Sequence, residues 1–584
     1  MYPVARSALA RATVLVAALV LLAPAAALAA PIRIGTDPYT GTGNGQHATA
    51  VEPDSFAFGN TIVAGFQVGR FTEGGGANIG WATSTDAGAT WKHGVMPKIT
   101  VAAGGTHRRA TDAAVAYDRR HAIWLVISDA LGPAPAVRGE NVVVNRSADA
   151  IHWLAPVNVA TATGSADFDK TWIVCDNTPA SPHYGNCYAQ WDDYGNSGIL
   201  KMSTSSDGGQ TWGAAKNTAD TATGLGGQPV VQPNGNVIVP YSSLDESQIE
   251  SFRSTDGGAS WEASTLVATP GGHHTVGGGM RAGPLPSVEV DAAGKVYAVW
   301  EDCRFRGASC PANDIVMSTT LDGLVWTLPQ RIPLGAVASL HEAFVPGLAV
   351  DATTTGAGAR LALAYHYLPS NDCGPNSCGV HVGIARSANG GATWSAPIDL
   401  TGAMKPVWMA ATGEGYMTGD YISTSFADGT AHPIFALARC PRSGRLNEAI
   451  YAANPPFGKG GSNCPPLAAR KLTDLGIDPF RFHASASGPA IASKGEAAVT
   501  YRASAAGTTR FFVARSVTRN GSQAWSRLPG HFDRHDSAGS NRFRYTGHVG
   551  GEKLKPGLYR LVAVPSDPDR AKGAKSYARF RIVS

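Results

Sequence analysis

The chain has 584 residues, of which 43% are hydrophobic and only 16% are charged, with 69 Gly and 37 Pro. This length allows two or three domains, and the high glycine content with short, turn-bounded runs favours all-β structure. The net charge of +4 is small for the length, and the sequence contains no basic run or basic helix. Nothing therefore indicates nucleic-acid binding.

Residues 1–29 are predicted to be a secretory signal peptide. Arg6 and Arg11 form a weak basic region, residues 12–22 are apolar, and Ala27-Leu28-Ala29 has the small residues of a cleavage site. The alternative is a membrane anchor, but the apolar region is short for a span. We expect a secreted, extracellular protein with no membrane span after cleavage.

A turn motif with the pattern Ser-x-Asp-x-Gly-x-x-Trp then recurs six times, and its tryptophans lie 49 to 68 residues apart. Such a period predicts a stack of similar supersecondary units. Asp or Asn closes the turn on its own backbone and Gly supplies positive φ, so we interpret the motif as structural. The copies are Ser84, Asp86, Gly88, Trp91; Ser147, Asp149, Trp153; Ser205, Asp207, Gly209, Trp212; Ser254, Asp256, Gly258, Trp261; Thr320, Asp322, Trp326; and Ser387, Asn389, Gly391, Trp394.

Three strand-like runs precede each copy and one follows it, as in residues 54–58, 61–67 and 78–83 of the first unit. Four-stranded antiparallel units repeated radially form a β-propeller. A seventh unit at 421–426, 432–438 and 448–452 has no motif, and residues 31–35 are placed to supply its missing strand. We predict a propeller of seven blades over residues 30–455, with six blades as the alternative.

The rest of the chain is predicted to be a linker and a second domain. Residues 456–470 are rich in Pro and Gly. Residues 471–584 contain short alternating runs with turn signals, which favour a small β-sandwich.

The eight cysteines form four local pairs. An even number in an exported chain indicates disulfides, and neighbour pairing is the simplest connectivity. A zinc site would need CxxC-type clustering with histidines, which is absent. The expected pairs are Cys175 with Cys187, Cys303 with Cys310, Cys373 with Cys378, and Cys440 with Cys464.

Strand direction separates two faces of the predicted propeller. The motif turns lie on one face, while the starts of first strands and the ends of second strands meet around the axis on the other. We predict any ligand site on that second face, in its central depression. Taken singly, its polar residues are more often solvated or locally paired, but the set mixes arginines, carboxylates and tyrosines. It includes Glu52, Asp54, Arg109, Asp112, Asp129, Asp169, Lys170, Arg281, Glu301, Arg304, Tyr367 and Asp420.

The motif resembles the Asp-box, or BNR repeat, of sialidases and related propellers, over residues 51–452. The C-terminal part resembles accessory β-sandwiches of secreted bacterial proteins. Sialidase resemblance implies three arginines that bind the substrate carboxylate through paired hydrogen bonds. It also implies an aspartate acid/base and a tyrosine nucleophile activated by a glutamate. A tyrosine suits an anionic sugar, because a carboxylate nucleophile would be repelled.

The assignment of these sialidase roles to particular residues of this chain rests on their predicted position on the polar face. Sialidases usually open with an Arg-Ile-Pro strand, whereas here Arg33-Ile34 is followed by Gly35, so Arg33 is a poor candidate. The arginine candidates are Arg109, Arg281 and Arg304, with Arg70 in reserve. The acid/base candidate is Asp54, then Asp112. The nucleophile pair is Tyr367 with Glu301, with Tyr365 and Glu342 as alternates.

These residues predict a secreted exo-glycosidase of the exo-α-sialidase type that hydrolyses terminal sialic acids from glycoconjugates. The alternative is a non-catalytic secreted propeller that binds glycan or protein. A third possibility, a glycosidase or lyase on another polysaccharide, needs a different constellation such as paired carboxylates. The expected partner is a glycan or glycoconjugate, or a protein in the non-catalytic alternative.

No cofactor or metal is expected. Calcium would need oxygen ligands. Four aspartates could supply such ligands: Asp167, Asp169, Asp192 and Asp193. Their spacing does not match a recognised calcium-binding loop, so a solvated or salt-bridged role is favoured for them.

Overall fold

The computed structural model describes residues 30–584 except 42–44, 134–136, 443, 456, 458–468, 494–495, 520–521 and 567–572. The predicted signal peptide, Cys464 and most of the predicted linker lie outside the described residues. In the described part, regular structure is β-strand apart from five 3-10 turns at Val101–Ala103, Tyr194–Asn196, Gly277–Gly279, Gly356–Gly358 and Pro406–Trp408. This confirms the all-β class. That part also has no helix with the length and apolarity of a membrane span.

The first half of the chain opens with one short strand and three antiparallel units. Units one and two share a sheet through a single pairing of Gly76 with Ala110. The strands are β1 (Ile32–Gly35); β2 (Gln46–Phe58), β3 (Thr61–Arg70), β4 (Gly76–Ser84), β5 (Lys92–Val95) in unit one; β6 (Arg109–Asp118), β7 (Ile123–Leu131), β8 (Gly139–Ser147), β9 (Val157–Thr161) in unit two; and β10 (Phe168–Cys175), β11 (Cys187–Asp193), β12 (Ile199–Ser205) in unit three.

Four more units follow, the last after a small hairpin. They contain β13 (Val230–Val231), β14 (Val237–Ser242), β15 (Ile249–Ser254), β16 (Thr265–Ala268) in unit four; β17 (Ser287–Val290), β18 (Val296–Asp302), β19 (Asp314–Thr320), β20 (Gln330–Arg331) in unit five; β21 (Glu342–Val350), β22 (Leu361–Leu368), β23 (His381–Ser387), β24 (Ile398–Asp399) in unit six; the hairpin β25 (Ala410–Thr412) and β26 (Gly415–Met417); and β27 (Ser423–Ala427), β28 (Thr430–Ala438), β29 (Glu448–Ala452) in unit seven.

The N-terminal strand completes the seventh unit. β1 pairs antiparallel with β29, with Ile32 opposite Ala452, as predicted for residues 31–35. The first strands of successive units also contact one another, in the series β2, β6, β10, β13, β17, β21, β27 and back to β2. The two ends of the repeat region are thus joined.

The turn motif folds as its chemistry predicts. Asp86 accepts the backbone N–H of Thr90 at 2.8 Å and the Ser84 hydroxyl at 2.8 Å, while Gly88 has φ 82° and donates to Ser84 Oγ. Trp91 Nε1 donates to the Gly88 carbonyl at 3.1 Å. The motif begins at Ser84, which pairs with Ile62 near the start of β3. Arg70 lies at the other end of the same strand. The turns therefore lie away from the predicted polar face.

Three of the predicted disulfides are present: Cys175–Cys187, Cys303–Cys310 and Cys373–Cys378. Cys440 is also disulfide-bonded, and its expected partner Cys464 lies outside the described residues. Disulfides of this kind fit an oxidising compartment.

The C-terminal strands form two larger sheets, with the orders β30-β32-β36 and β31-β40-β39-β33-β34, where β35 also pairs with β33, and a small sheet of β37 and β38. The sheets share an apolar core that includes Val499, Tyr501, Phe511 and Phe580. The strands are β30 (Leu472–Asp478), β31 (Arg481–His483), β32 (Ala497–Ala503), β33 (Gly507–Arg519), β34 (Ser522–Arg527), β35 (Phe532–Asp536), β36 (Gly539–Tyr545), β37 (His548–Val549), β38 (Glu552–Lys553), β39 (Gly557–Pro565) and β40 (Ser576–Val583).

The motif aspartate has a natural control in the sixth copy. There Asn389 accepts the Ser387 hydroxyl and the Thr393 N–H as Asp86 accepts its counterparts, and donates its Nδ2 to Thr393 Oγ1. We expect Asp86→Ala to lower the free energy of unfolding by about 1 to 2 kcal/mol, because the turn loses its side-chain acceptor. Asp86→Asn should cost much less. Thermal or urea unfolding measures both, and equal destabilisation by Ala and Asn would contradict the hydrogen-bonding role.

Candidate functional site

A repeated backbone bulge shapes the polar face. Glu52, Asp112 and Lys170 each have positive φ, between 51° and 53°, in the first strands of units one to three. The pairing register with the second strand shifts at each of these points. A bulge adds an unpaired residue and re-aims its side chain. Here the three side chains meet near the centre of the face.

The centre of this face is a buried ion-pair network around Asp420, which precedes β27. Arg281 donates to both Asp420 oxygens, at 2.7 and 2.5 Å, and Lys170 Nζ contacts Asp420 Oδ2 at 2.5 Å. The backbone N–H of Asp420 donates to Glu52 Oε1 at 3.1 Å. The network thus joins units one, three and seven to the connection that precedes β17.

The network separates the proton affinities of its carboxyl groups. Burial alone would raise the pKa of Asp420, but the charges of Arg281 and Lys170 hold it well below its usual range. Burial and the nearby Asp420 charge raise the pKa of Glu52 to about 7. Neighbouring carboxyl groups whose pKa values differ this much are typical of functional sites.

A cavity opens beside this network and extends between the first strands. Its lining includes Asp54, Lys170, Glu289, Asp420 and Tyr421. Asp54 accepts the Val115 N–H at 2.8 Å, and burial raises its pKa to about 7. Burial, followed by the charge of Asp54, raises the pKa of Glu289 to about 8. Two carboxyls that titrate near neutral pH thus share a cavity with one that stays ionised.

Three carboxylates on the same face are grouped closely enough to hold a metal ion. One oxygen each from Asp112, Asp129 and Asp169 lies within 4.8 Å of the others. Of the aspartates that suggested calcium in the sequence, Asp169 alone belongs to this group. Asp192 instead accepts hydrogen bonds from Gln190 and the Gly226 backbone.

A glycine-rich connection between β16 and β17 lies over the neighbouring part of the face. Gly277 and Gly278 allow close packing here, because a Cβ would lie 2.4 Å from the Asn371 carbonyl and 2.7 Å from Cys378 Sγ. The connection carries His273, whose Nε2 pairs with Glu301 Oε2 at 2.9 Å.

Burial alone would lower the pKa of His273, but the hydrogen bond and charge of Glu301, with the charge of Glu246, raise it. Glu301 is fully buried, and its second oxygen accepts the Val345 N–H at 2.6 Å. The histidine is therefore oriented and favours its charged form.

The structure places the predicted arginines apart. Arg281 pairs with Asp420, while Arg304 pairs with Asp302 at 2.6 Å. Arg109 donates to the Gly74 carbonyl at 2.8 Å and lies 3.4 Å from Glu73. The three do not converge on one point, and each already has an acidic partner.

The reserve arginine belongs to the margin of the network. Arg70 donates to Gln67 Oε1 at 3.1 Å, and Gln67 donates to Glu52.

The predicted nucleophile pair is also separated. Glu301 binds His273 and Val345, whereas the Tyr367 ring stacks between His341 and His381 at centroid distances of 5.1 and 4.9 Å. Burial, followed by the charge of Asp399, raises the pKa of Tyr367, which opposes its activation. The alternates differ too, since Glu342 binds His274 and Tyr365 is part of the core.

Sequence reasoning missed His273, Glu246 and Glu289. The run from Gly271 to Arg281, with two histidines between glycine clusters, was an available signal for the first of them. Glu289 lies in an ordinary alternating strand and had none.

Comparisons with known proteins agree with the repeat assignment. Residues 138–406 match the family model of the BNR repeat-like domain. No curated protein matches the sequence.

Three solved structures show distant similarity. A protein of unknown function from Dyadobacter fermentans is 12% identical, covers 62% of this chain and 99% of its own, and has a TM-score of 0.40. The Hadza microbial sialidase Hz136 is 15% identical, with 70% and 66% covered and a TM-score of 0.37. An ulvan lyase from a new polysaccharide lyase family is 11% identical, with 73% and 95% covered and a TM-score of 0.42.

The His273–Glu301 pair predicts a measurable titration. In Glu301→Gln the charged acceptor is lost, so burial should bring the pKa of His273 below its ordinary value of about 6.5. NMR resonances of the histidine rings in labelled protein measure the pKa of His273. The control is Glu262→Gln, which removes a carboxylate that pairs with Arg253. In the wild type, the pair should stabilise the fold below the unfolded pKa and lose this effect as pH rises through the raised one. An unchanged His273 titration in Glu301→Gln would refute the pairing.

Proposed function

We propose that this protein, whose chain contains a BNR repeat-like domain, is a secreted carbohydrate-active enzyme that hydrolyses glycosidic bonds at the polar face. The cavity carries this proposal. It brings together Asp54, whose pKa burial raises to about 7, and Asp420, which Arg281 and Lys170 keep ionised. Glycoside hydrolysis needs one carboxyl of each kind.

We infer that the seven antiparallel units are the blades of a propeller and that β1 closes the seventh blade. The closed series of contacts between first strands supports seven blades over six. The two sheets of residues 471–584 support a C-terminal β-sandwich.

Each group in the cavity has a defined role in this proposal. Asp54 donates its proton to the oxygen of the leaving group as the glycosidic C–O bond breaks, and water then adds to the anomeric carbon and returns a proton to Asp54. Asp420 stabilises the positive charge that develops on the sugar ring. Lys170 and Arg281 hold the Asp420 carboxylate in place. Such preorganised charges act most strongly where water is excluded.

The most specific form of the proposal is an exo-sialidase that releases terminal sialic acid. The Asp-box resemblance supports it, and a Hadza microbial sialidase is among the structural neighbours. Binding the sugar carboxylate requires Arg281 to exchange Glu414 for it while it keeps Asp420. Its Nη1 lies 3.1 Å from Glu414, which is largely exposed and free to move away.

A second candidate is a non-catalytic propeller that binds glycans. One observation favours it: Arg109, Arg281 and Arg304 each already lie beside a local carboxylate. A protein built in this way binds sugar hydroxyls with its network and leaves the glycosidic bond intact.

Turnover of aryl glycosides tests the proposal. We expect release of the aryl group from a sialic acid glycoside or a neutral glycoside, with a fall of at least about 100-fold in Asp54→Asn, because the general acid is lost. Asp207→Asn is the matched control, since Asn389 already occupies that motif position. Unfolding curves show that each variant is folded.

Three outcomes decide between the candidates. Sialoside turnover supports the exo-sialidase, and turnover of neutral glycosides alone supports the broader hydrolase. No turnover, together with retained binding on a glycan array, would replace the enzyme with the binding protein.

A further inference from the structure

We propose that Asp112, Asp129 and Asp169 form a divalent cation site at the centre of the polar face. The proposal does not depend on the glycosidase assignment. The three carboxylates come from the first strand of unit two, the end of its second strand, and the first strand of unit three. Their ligand oxygens lie within 4.8 Å of one another, close enough to share one ion.

The strongest sign of a ligand is Asp129. Its side chain is completely buried, and neither carboxylate oxygen has a hydrogen-bond partner in the described structure. Asp112 Oδ1 likewise receives no hydrogen bond. Carboxylates are seldom buried without a partner, because removing the charge from water costs several kcal/mol. A cation between these oxygens supplies the missing partner.

The charge balance points the same way. Lys170 is the cation that reaches Asp112, but its Nζ lies 3.5 Å from Asp112 Oδ1 and is bound more closely to Asp420, at 2.5 Å, where Arg281 is bound too. One ammonium shared among these acids leaves the three carboxylates with excess negative charge. A divalent ion compensates this excess.

The ligand atoms indicate which ions fit. All three are carboxylate oxygens, which suit hard cations such as Ca²⁺, Mg²⁺ or Mn²⁺. Asp169 is partly exposed, so the ion is reached from the face and keeps coordination positions for water or a sugar hydroxyl.

Binding of the metal ions alone tests the site. The full mature chain is treated with chelator and titrated with CaCl₂, MgCl₂ or MnCl₂ by calorimetry, and the bound metal is counted. We expect one equivalent of at least one ion to bind and to raise the Tm with concentration, as for any ligand of the folded state. Asp129→Asn should weaken binding by at least about 10-fold.

Two further variants make the result decisive. Asp169→Asn changes the partly exposed ligand and carries the test if Asp129→Asn does not fold, while Asp256→Asn in a turn motif should leave binding unchanged. Absence of binding at millimolar metal would overturn the proposal in favour of carboxyls that share protons. Binding that survives both ligand substitutions would place the ion elsewhere and overturn it equally.

A separate observation concerns the C-terminal sheets. We infer that the outer face of the sheet β31-β40-β39-β33-β34 binds an anionic polysaccharide. Alternate residues of these strands point away from the core and bring arginines together. They are Arg481, Arg527, Arg560, Arg579 and Arg581, which we call the basic face.

The basic face carries charges that the described residues do not neutralise. None of its arginines pairs with a carboxylate among the described residues, unlike Arg510, which binds Asp533. Arg579 lies directly opposite Arg560, an arrangement of like charges that destabilises a sheet. Arg560 lies 5.0 and 4.8 Å from the ring centres of Trp525 and Tyr577, and Arg579 lies 5.7 Å from the centre of the Trp525 ring.

This arrangement fits sulfate or carboxylate groups on a polysaccharide. Guanidinium groups held flat against rings present their N–H edges to oxyanions. Arg560 and Arg579 both lie beside the partly exposed Trp525 ring, which limits its use for stacking nucleic-acid bases.

Dextran sulfate is a suitable probe, with neutral dextran and a single-stranded DNA oligonucleotide for comparison. We expect the full chain to bind dextran sulfate and not dextran. The double variant Arg579→Gln/Arg581→Gln should bind at least about 10-fold more weakly and depend less on salt. Arg542→Gln/Arg544→Gln, which removes two exposed arginines from the other sheet, is the control. Equal weakening in the control, or DNA binding as tight as dextran sulfate, would overturn the inference.

Discussion

The pairing of Asp420 with Arg281 and Lys170 is the interaction on which the polar face depends. It brings together residues from three distant parts of the chain, with Arg281 139 residues from Asp420. Because all three are largely buried, removing Asp420 would take the closest counter-charge from both Arg281 and Lys170 at considerable cost. The same pairing keeps one carboxylate ionised in a place where burial raises the pKa of its neighbours.

The turn motifs and the polar face have separate tasks. The motifs close the strands at one end of each unit through hydrogen bonds within a few residues. At the other end, bulges at Glu52, Asp112 and Lys170 interrupt the ladders and turn charged side chains to the centre. Regular repeats therefore support an irregular centre, which is where strain and unpaired carboxylates are found.

Local patterns predicted the fold better than the site. The motif spacing, the alternating runs and residues 31–35 all indicated strands that the structure contains. The bulges have no comparable signal, because Glu52, Asp112 and Lys170 are not glycines and adopt positive φ through tertiary contacts. The sequence indicated which face carries the polar residues, but it did not indicate the partner of each arginine. Arg304 pairs with Asp302, two residues away, whereas Arg281 pairs with Asp420, far along the chain. The separation of Tyr367 from Glu301 likewise depends on His273, which comes from another connection.

A crystal structure of the protein soaked with a glycan product tests the central claim most directly. We expect electron density for a sugar over the mouth of the central cavity, in contact with Lys170, Asp420 or Asp54. Sugar bound only among the turn motifs or only on the C-terminal sheets, with the central cavity unoccupied, would contradict it.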